Sequence, residues 1–179
     1  MNSLSTDEPT AHRATDGVPA SLREVMARFA TGVTVLSTGG EHIHGMTANA
    51  FTSVSLDPPS VLCCVDRSAV MHKAIKTAGH FGVSIMEAGQ EGLVRFFADK
   101  KRPLGPGQFA DVDWSPGPRT GAPLLSGSLA WLECELSTAY DFGTHSIFIG
   151  EVVGASHGGA RDGLLFFRGG FRRAVPHSA

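Results

Sequence analysis

The sequence predicts a mainly β domain, a closed antiparallel barrel carrying a few short helices. Apolar and polar residues alternate over many short runs, Gly and Pro turns separate those runs at close intervals, and stretches with helical period are few. The chain has 179 residues and is 42% hydrophobic, enough for one domain with a sizeable core. Its net charge is −2 with no basic stripe, which argues against a nucleic-acid partner. No apolar run approaches the roughly 20 residues of a membrane span, so no membrane partner is expected.

Residues 1–20 are polar, with Thr, Asp, Pro and Gly, and lack the basic and apolar regions of a signal peptide. They are expected to form a disordered arm ahead of a domain at 21–175. Ser21 and Glu24 have capping-box spacing, and Leu22, Val25, Met26 and Phe29 fall on one helical face. "VTVLST" then alternates into Gly39-Gly40, read as a hairpin turn, and "EHIHGMT" returns. "AFTSVSL" is the next strand, turned by Asp57-Pro58-Pro59 into "SVLCCV". Ser68 is placed to cap a helix over "AVMHKAIKTA" that Gly79 stops. "HFGVSIM" reads as a strand and "QEGLVRFFAD" as a helix. Residues 100–123, rich in Pro and Gly, read as a long surface loop. "SLAWLECELSTAYDF" and "HSIFIGEVVGA" alternate again, and "GLLFFRGGFRR" closes as a hairpin on Gly169-Gly170. Of the three cysteines, Cys63 and Cys64 are neighbours that point to opposite faces of a strand, so buried thiols in a reducing cytoplasm are expected.

The chemistry-bearing patterns are sparse. His42 and His44, two apart, share a strand face as a metal pair does, but no further ligand sits at recognisable spacing, and no metal is assigned. G-x-S-x-G, G-x-G-x-x-G and P-loop patterns are missing. The stretch from Thr47 to Ser55 crowds short hydroxyl and amide side chains between apolar strand residues. That pattern fits an ordinary half-exposed strand, and it also fits a groove for a planar, hydrogen-bonding, anionic ligand. Asp66-Arg67-Ser68 follows a strand and precedes a helix, where backbone N–H groups and Arg67 favour phosphate, although a plain helix cap beside an ion pair reads the same way.

"RFATGVTVLST", "HGMTANAFTSVSLDPPSVLCCVDRS", "GHFGVSIM", "GAPLL", "LAWLECEL" and "HSIFIGEV" resemble, in order, the blocks of the flavin reductase domain family, the small reductase components of two-component flavin-dependent monooxygenases. The resemblance runs from about Ser21 to Arg173. It implies an FMN-binding split β-barrel of Greek-key type, a homodimer, FMN or FAD as cofactor, and NADH or NADPH as hydride donor. It further implies a partner monooxygenase that receives the reduced flavin. The alternative is a split barrel that holds flavin or haem without turnover.

By this resemblance, backbone groups of Gly45, Met46, Thr47, Ala48, Asn49 and Ala50 read the isoalloxazine edge, and the small Ala48 and Ala50 permit close approach. Thr47, Ser53 and Ser55, flanking Val54, serve the ribityl chain and phosphate, with Asp66, Arg67 and Ser68 at the phosphate corner. Phe81, Arg95 and Phe96 lie in further blocks near the flavin, and His145 is the catalytic candidate, orienting the nicotinamide or donating a proton. Three positions depart from the pattern: Thr144 where relatives often carry Asp, Ser84 where Asn is frequent, and Phe171 where Tyr is common.

Overall fold

The computed structural model describes residues 21–175, so the arm expected at 1–20 lies outside the described residues. The short helix α1 (Leu22–Met26) opens with the expected capping box, Ser21 and Glu24 each bonding the other's backbone N–H. Its apolar residues are not buried: Leu22, Val25, Met26 and Phe29 are all at least half exposed.

The chain then builds β1 (Thr31–Gly32), β2 (Thr34–Thr38), β3 (His44–Ala48), β4 (Phe51–Leu56) and β5 (Pro59–Asp66). After the helix α2 (Val70–Ala78) come β6 (His80–Ile85), the helix α3 (Glu91–Ala98), and the short strands β7 (Trp114–Pro116) and β8 (Pro123–Leu125). Two long strands follow, β9 (Ala130–Phe142) and β10 (His145–His157), then the hairpin of β11 (Gly163–Phe167) and β12 (Gly170–Ala174). No helix among the described residues is long and apolar enough to cross a membrane.

Seven strands form the main sheet, in the order β3-β2-β6-β9-β10-β5-β4, and every pairing is antiparallel. The two edge strands, β3 and β4, are consecutive in the chain and separated only by Asn49 and Ala50. From Ala48 to Phe51 is three Cα–Cα steps, at most about 11 Å, so the sheet must curl until its edges nearly meet. The ladder nonetheless stays open between β3 and β4, so the barrel is split and not the closed one that strand alternation alone suggests. The inward residues Leu36, Cys63, Val65, Phe81, Val83 and Phe148 fill the curl, and α2 plugs it with Met71, Ala74 and Ile75. A second cluster joins Val33, Val35, Val94, Phe97, Phe109 and Leu164 beneath α3 and the final hairpin.

Several local expectations are corrected. Gly39-Gly40 is not a two-residue hairpin turn: Gly40 takes φ +65° and opens a 3₁₀ turn over Gly40–His42. The helix α2 is capped at Ala69, not Ser68, because the Ser68 hydroxyl turns back to Asp66 Oδ1 at 2.7 Å. Gly79 ends α2 as expected, in the left-handed region at φ 70°. Residues 100–123 are more than a surface loop: they hold the β7–β8 hairpin and bury Gln108 and Phe109. Cys63 and Cys64 do face opposite ways, Cys63 buried and Cys64 half-buried, and all three cysteines are free thiols.

Candidate functional site

The bend at Asn49-Ala50, where the two sheet edges meet, is the centre of the candidate site. β3 is an edge strand, and an edge strand turns alternate residues' N–H and C=O groups away from its neighbour. Gly45 is such a residue, but its groups are already taken: its N–H donates to Gln108 Oε1 at 2.9 Å and its C=O accepts from Arg102 Nη2 at 2.7 Å. A Cβ at Gly45 would collide with the Phe97 ring, so glycine lets the helix α3 close over the strand. The expectation that Gly45 reads a ring edge is therefore corrected. Two residues on, Thr47 has the same outward parity, and its backbone groups are the next along this edge. Its hydroxyl, however, donates to Val94 O at 2.6 Å and ties β3 to α3. Met46 faces the interior opposite Leu36, Ala48 is buried, and Asn49 and Ala50 are exposed at the bend.

On β4, Thr52, Ser53 and Val54 are all exposed. The Ser53 hydroxyl takes no protein partner among the described residues, whereas Ser55 Oγ is engaged in its own turn, donating to Asp57 O and accepting from Asp57 N. Val54 is the extra residue of a bulge between Ser53 and Ser55. Ser55 pairs with Ser60, six residues before Asp66 on β5, so it stands about 20 Å from the Asp66 corner. The structure thus separates Ser55 from the phosphate corner with which the sequence grouped it. Ala50, by contrast, is near it: Cys64 N donates to Ala50 O at 3.0 Å, two residues before Asp66.

The corner is tightly built. Asp66 Oδ1 accepts from Ser68 N at 2.8 Å and from Ser68 Oγ. Those two bonds, the hydroxyl's first, hold the Asp66 carboxyl below its ordinary range, with smaller pulls from His145 and Lys100. Arg67 N donates to Thr144 O at 2.9 Å, and Arg67 Nε lies 3.8 Å from Asp141 Oδ2. The helix α2 starts without a side-chain cap, and the N–H of the exposed Val70 takes no partner among the described residues, which leaves this helix start open to an anion.

His145 opens β10 beside this corner. It is exposed, Thr144 Oγ1 lies 2.9 Å from its Nδ1, and its cross-strand partner on β5 is Asp66. The acidic neighbour missing at Thr144 is thus supplied across the sheet. Beneath it runs a chain that the sequence reading missed. Ser146, fully buried, donates to Asp141 Oδ1 at 2.6 Å and meets His72 Nε2 at 2.7 Å. Ser146 pairs with Asp141 across the β9–β10 turn, a register that the hairpin alternation carries; His72 arrives only through the tertiary fold.

Phe81 is a core residue. It is fully buried, and a Cβ at Gly150 would lie 2.6 Å from its Cζ, so the expectation that it touches cofactor is corrected. Arg95 is exposed, paired with Glu91 and 4.8 Å above the Phe171 ring; Phe96 packs edge-on against Phe97. Both stand on α3, on the β3 side of the bend and not at the Asp66 corner. His44, from the candidate metal pair, is buried, with Nδ1 2.6 Å from Gln108 Nε2 and Nε2 3.3 Å from Arg102.

The flavin reductase like domain matches residues 26–174, nearly all of the described chain. The protein belongs to this family. It is 52% identical over 155 residues to an NADH-dependent FAD reductase of Streptomyces globisporus, a match covering 87% of this chain and 85% of that protein. It is 32% identical to the reductase subunit HsaB of a flavin-dependent monooxygenase from Rhodococcus jostii, covering 98% of this chain and 87% of the relative. Its fold superposes with a TM-score of 0.84 on BorF, the flavin reductase component of a bacterial two-component tryptophan halogenase, at 48% identity and covering 87% and 98% of the two chains. Within this family the split barrel and its open bend are the features to test against a flavin.

They fit one. The exposed bend at Asn49-Ala50 presents backbone with only a small side chain at Ala50, Ser53 offers a free hydroxyl, and the uncapped start of α2 beside Arg67 offers an anion site.

Proposed function

We propose that this protein is an NAD(P)H-dependent flavin reductase that supplies reduced FMN or FAD to a separate flavin-dependent monooxygenase. The observation that carries the reading is the pairing of an exposed, small-residue bend at Asn49-Ala50 with an uncapped helix start beside Arg67, joined through Cys64 N to Ala50 O. When bound, the flavin supplies the hydride acceptor and the nicotinamide supplies the hydride, so the protein's share is binding and alignment.

That share divides among named residues. Arg67 and the first N–H groups of α2 hold phosphate, with Ser68 fixed by Asp66. The backbone of Thr47 to Ala50 meets the ring edge, and the Ser53 hydroxyl is free to bond the polar chain. His145, at the rim and opposite Asp66, orients the nicotinamide. Arg95 and Phe96 border the β3 side.

The working unit in this reading is a homodimer. Support comes from the uncovered apolar residues of α1 and from Leu56, Tyr140 and Phe142, which a second copy would bury. Residues 21–175 form its domain, and three free thiols fit a cytoplasmic location. The test is NADH and NADPH oxidation by purified protein with FMN or FAD added. Acceleration supports the reading. Flavin or haem binding without any acceleration would instead make the protein a non-catalytic module.

A further inference from the structure

A groove of about 650 Å³ runs from the Asp66 corner along α2 and under the β9–β10 turn. That is the size of a site for a whole small molecule, more than a single phosphate needs. His72 and Lys76, four residues apart, stand one above the other on α2 about 6 Å apart along its axis, and Ser68 lies just ahead of the helix at the corner. Arg67 and Thr144 line the corner end of the groove, and Lys76 lines it farther along α2.

The charges in the groove are sorted. Asp66 is occupied by Ser68, and Asp141 is occupied by Ser146 and Arg67. Lys76 has no salt-bridge partner among the described residues. Both acids are therefore engaged inside the protein, and Lys76, whose charge reaches Asp141 without pairing with it, keeps its donors for what enters. His72 is oriented too. Because Ser146 donates its hydrogen to Asp141, its oxygen must accept from His72 Nε2–H, which leaves Nδ1 as an acceptor with no protein partner. An edge-on contact with Phe148, centroids 5.2 Å apart, steadies the ring.

We infer that this groove is an adenylate subsite, in which Lys76 meets the second phosphate of FAD and His72 Nδ1 accepts from the adenine amino group. FMN ends at the phosphate corner and leaves the groove unfilled. This inference rests on the flavin-reductase reading, and it makes Lys76 and His72 determinants of flavin choice.

The experiment is equilibrium titration of the flavin-free protein with FAD and with FMN, read by flavin fluorescence, with adenosine 5′-monophosphate as competitor. The native protein is expected to bind FAD at least about tenfold more tightly than FMN, and AMP is expected to displace FAD. Lys76→Met and His72→Leu should each shrink the FAD-to-FMN affinity ratio by about tenfold, and Lys76→Arg should restore most of it. Equal affinities for the two flavins, or variants that weaken both alike, overturn the subsite. So does AMP that competes with NADH and not with FAD, since the groove would then serve the nicotinamide donor's adenylate. Binding of neither flavin would instead bring down the reductase reading itself.

Discussion

His145 and Asp66 face each other across the β10–β5 ladder, at the point where β5 ends and the turn into α2 begins. Asp66 is thereby shared between two tasks, holding Ser68 and presenting a negative charge to the imidazole. His145→Ala is expected to slow flavin reduction about ten- to a hundredfold through lost alignment, while flavin affinity changes little. Asp66→Asn is expected to slow it less, and the double variant to lose less than the product of the two single losses, because neighbours in contact couple. Stopped-flow reduction rates of the three variants check this. Strictly multiplicative losses would mean that the two residues act independently.

Thr47 and Ser53 look alike in the sequence, yet the structure gives them different work. Thr47 donates inward to Val94 O, so Thr47→Val is expected to cost stability of about 0.5–1.5 kcal/mol and more if the carbonyl is left unpaired. Ser53 has no protein partner among the described residues, so Ser53→Ala is expected to leave the denaturation midpoint in place and weaken flavin binding up to about tenfold. Urea denaturation and flavin titration on both variants separate the roles. A stability loss at Ser53 equal to that at Thr47 would contradict the assignment.

His44 makes folding pH-dependent. Burial first, and the Arg102 charge second, push its pKa down from 6.5 to about 4. As pH falls through 6.5 the unfolded chain gains a proton that the folded chain refuses, so the contribution is whole above 6.5 and is lost towards 4. Between about pH 7 and about pH 4.5 this amounts to about 2–3 kcal/mol. Gln108 and Arg102, the groups facing the ring, do not titrate in that window. His44→Gln is expected to flatten the dependence of the urea midpoint over this range. An unchanged slope would assign the acid sensitivity elsewhere.

Most of the sheet was legible from alternation, because strands such as β5 bury Val61, Cys63 and Val65 on one face and leave the other half open. The capping box at Ser21 and the stop at Gly79 were legible because each rests on neighbouring residues alone. What stayed hidden depends on distant chain. Gln108 is polar and sits among prolines and glycines, and only its bonds to Gly45 and His44 explain why it is buried. Phe81 was drawn toward the cofactor by its place in a family block, although its partner Cys134 on β9 marks it as inward-facing. The Asp66-Arg67-Ser68 turn does join a strand to a helix, as neighbouring residues indicated, but the charge facing His145 was sought next to it in the chain when it lay across the sheet.

In the proposed reaction the bend at Asn49-Ala50 and the Arg67 corner together hold a flavin that NADH or NADPH reduces. Its most direct test is to load the protein with flavin under nitrogen, add the nicotinamide, and follow the flavin's visible absorbance. Rapid bleaching is expected, which Arg67→Ala impairs by weakening flavin retention and His145→Ala slows with the flavin still bound. Absorbance that persists in the native protein with either nucleotide and either flavin would contradict it.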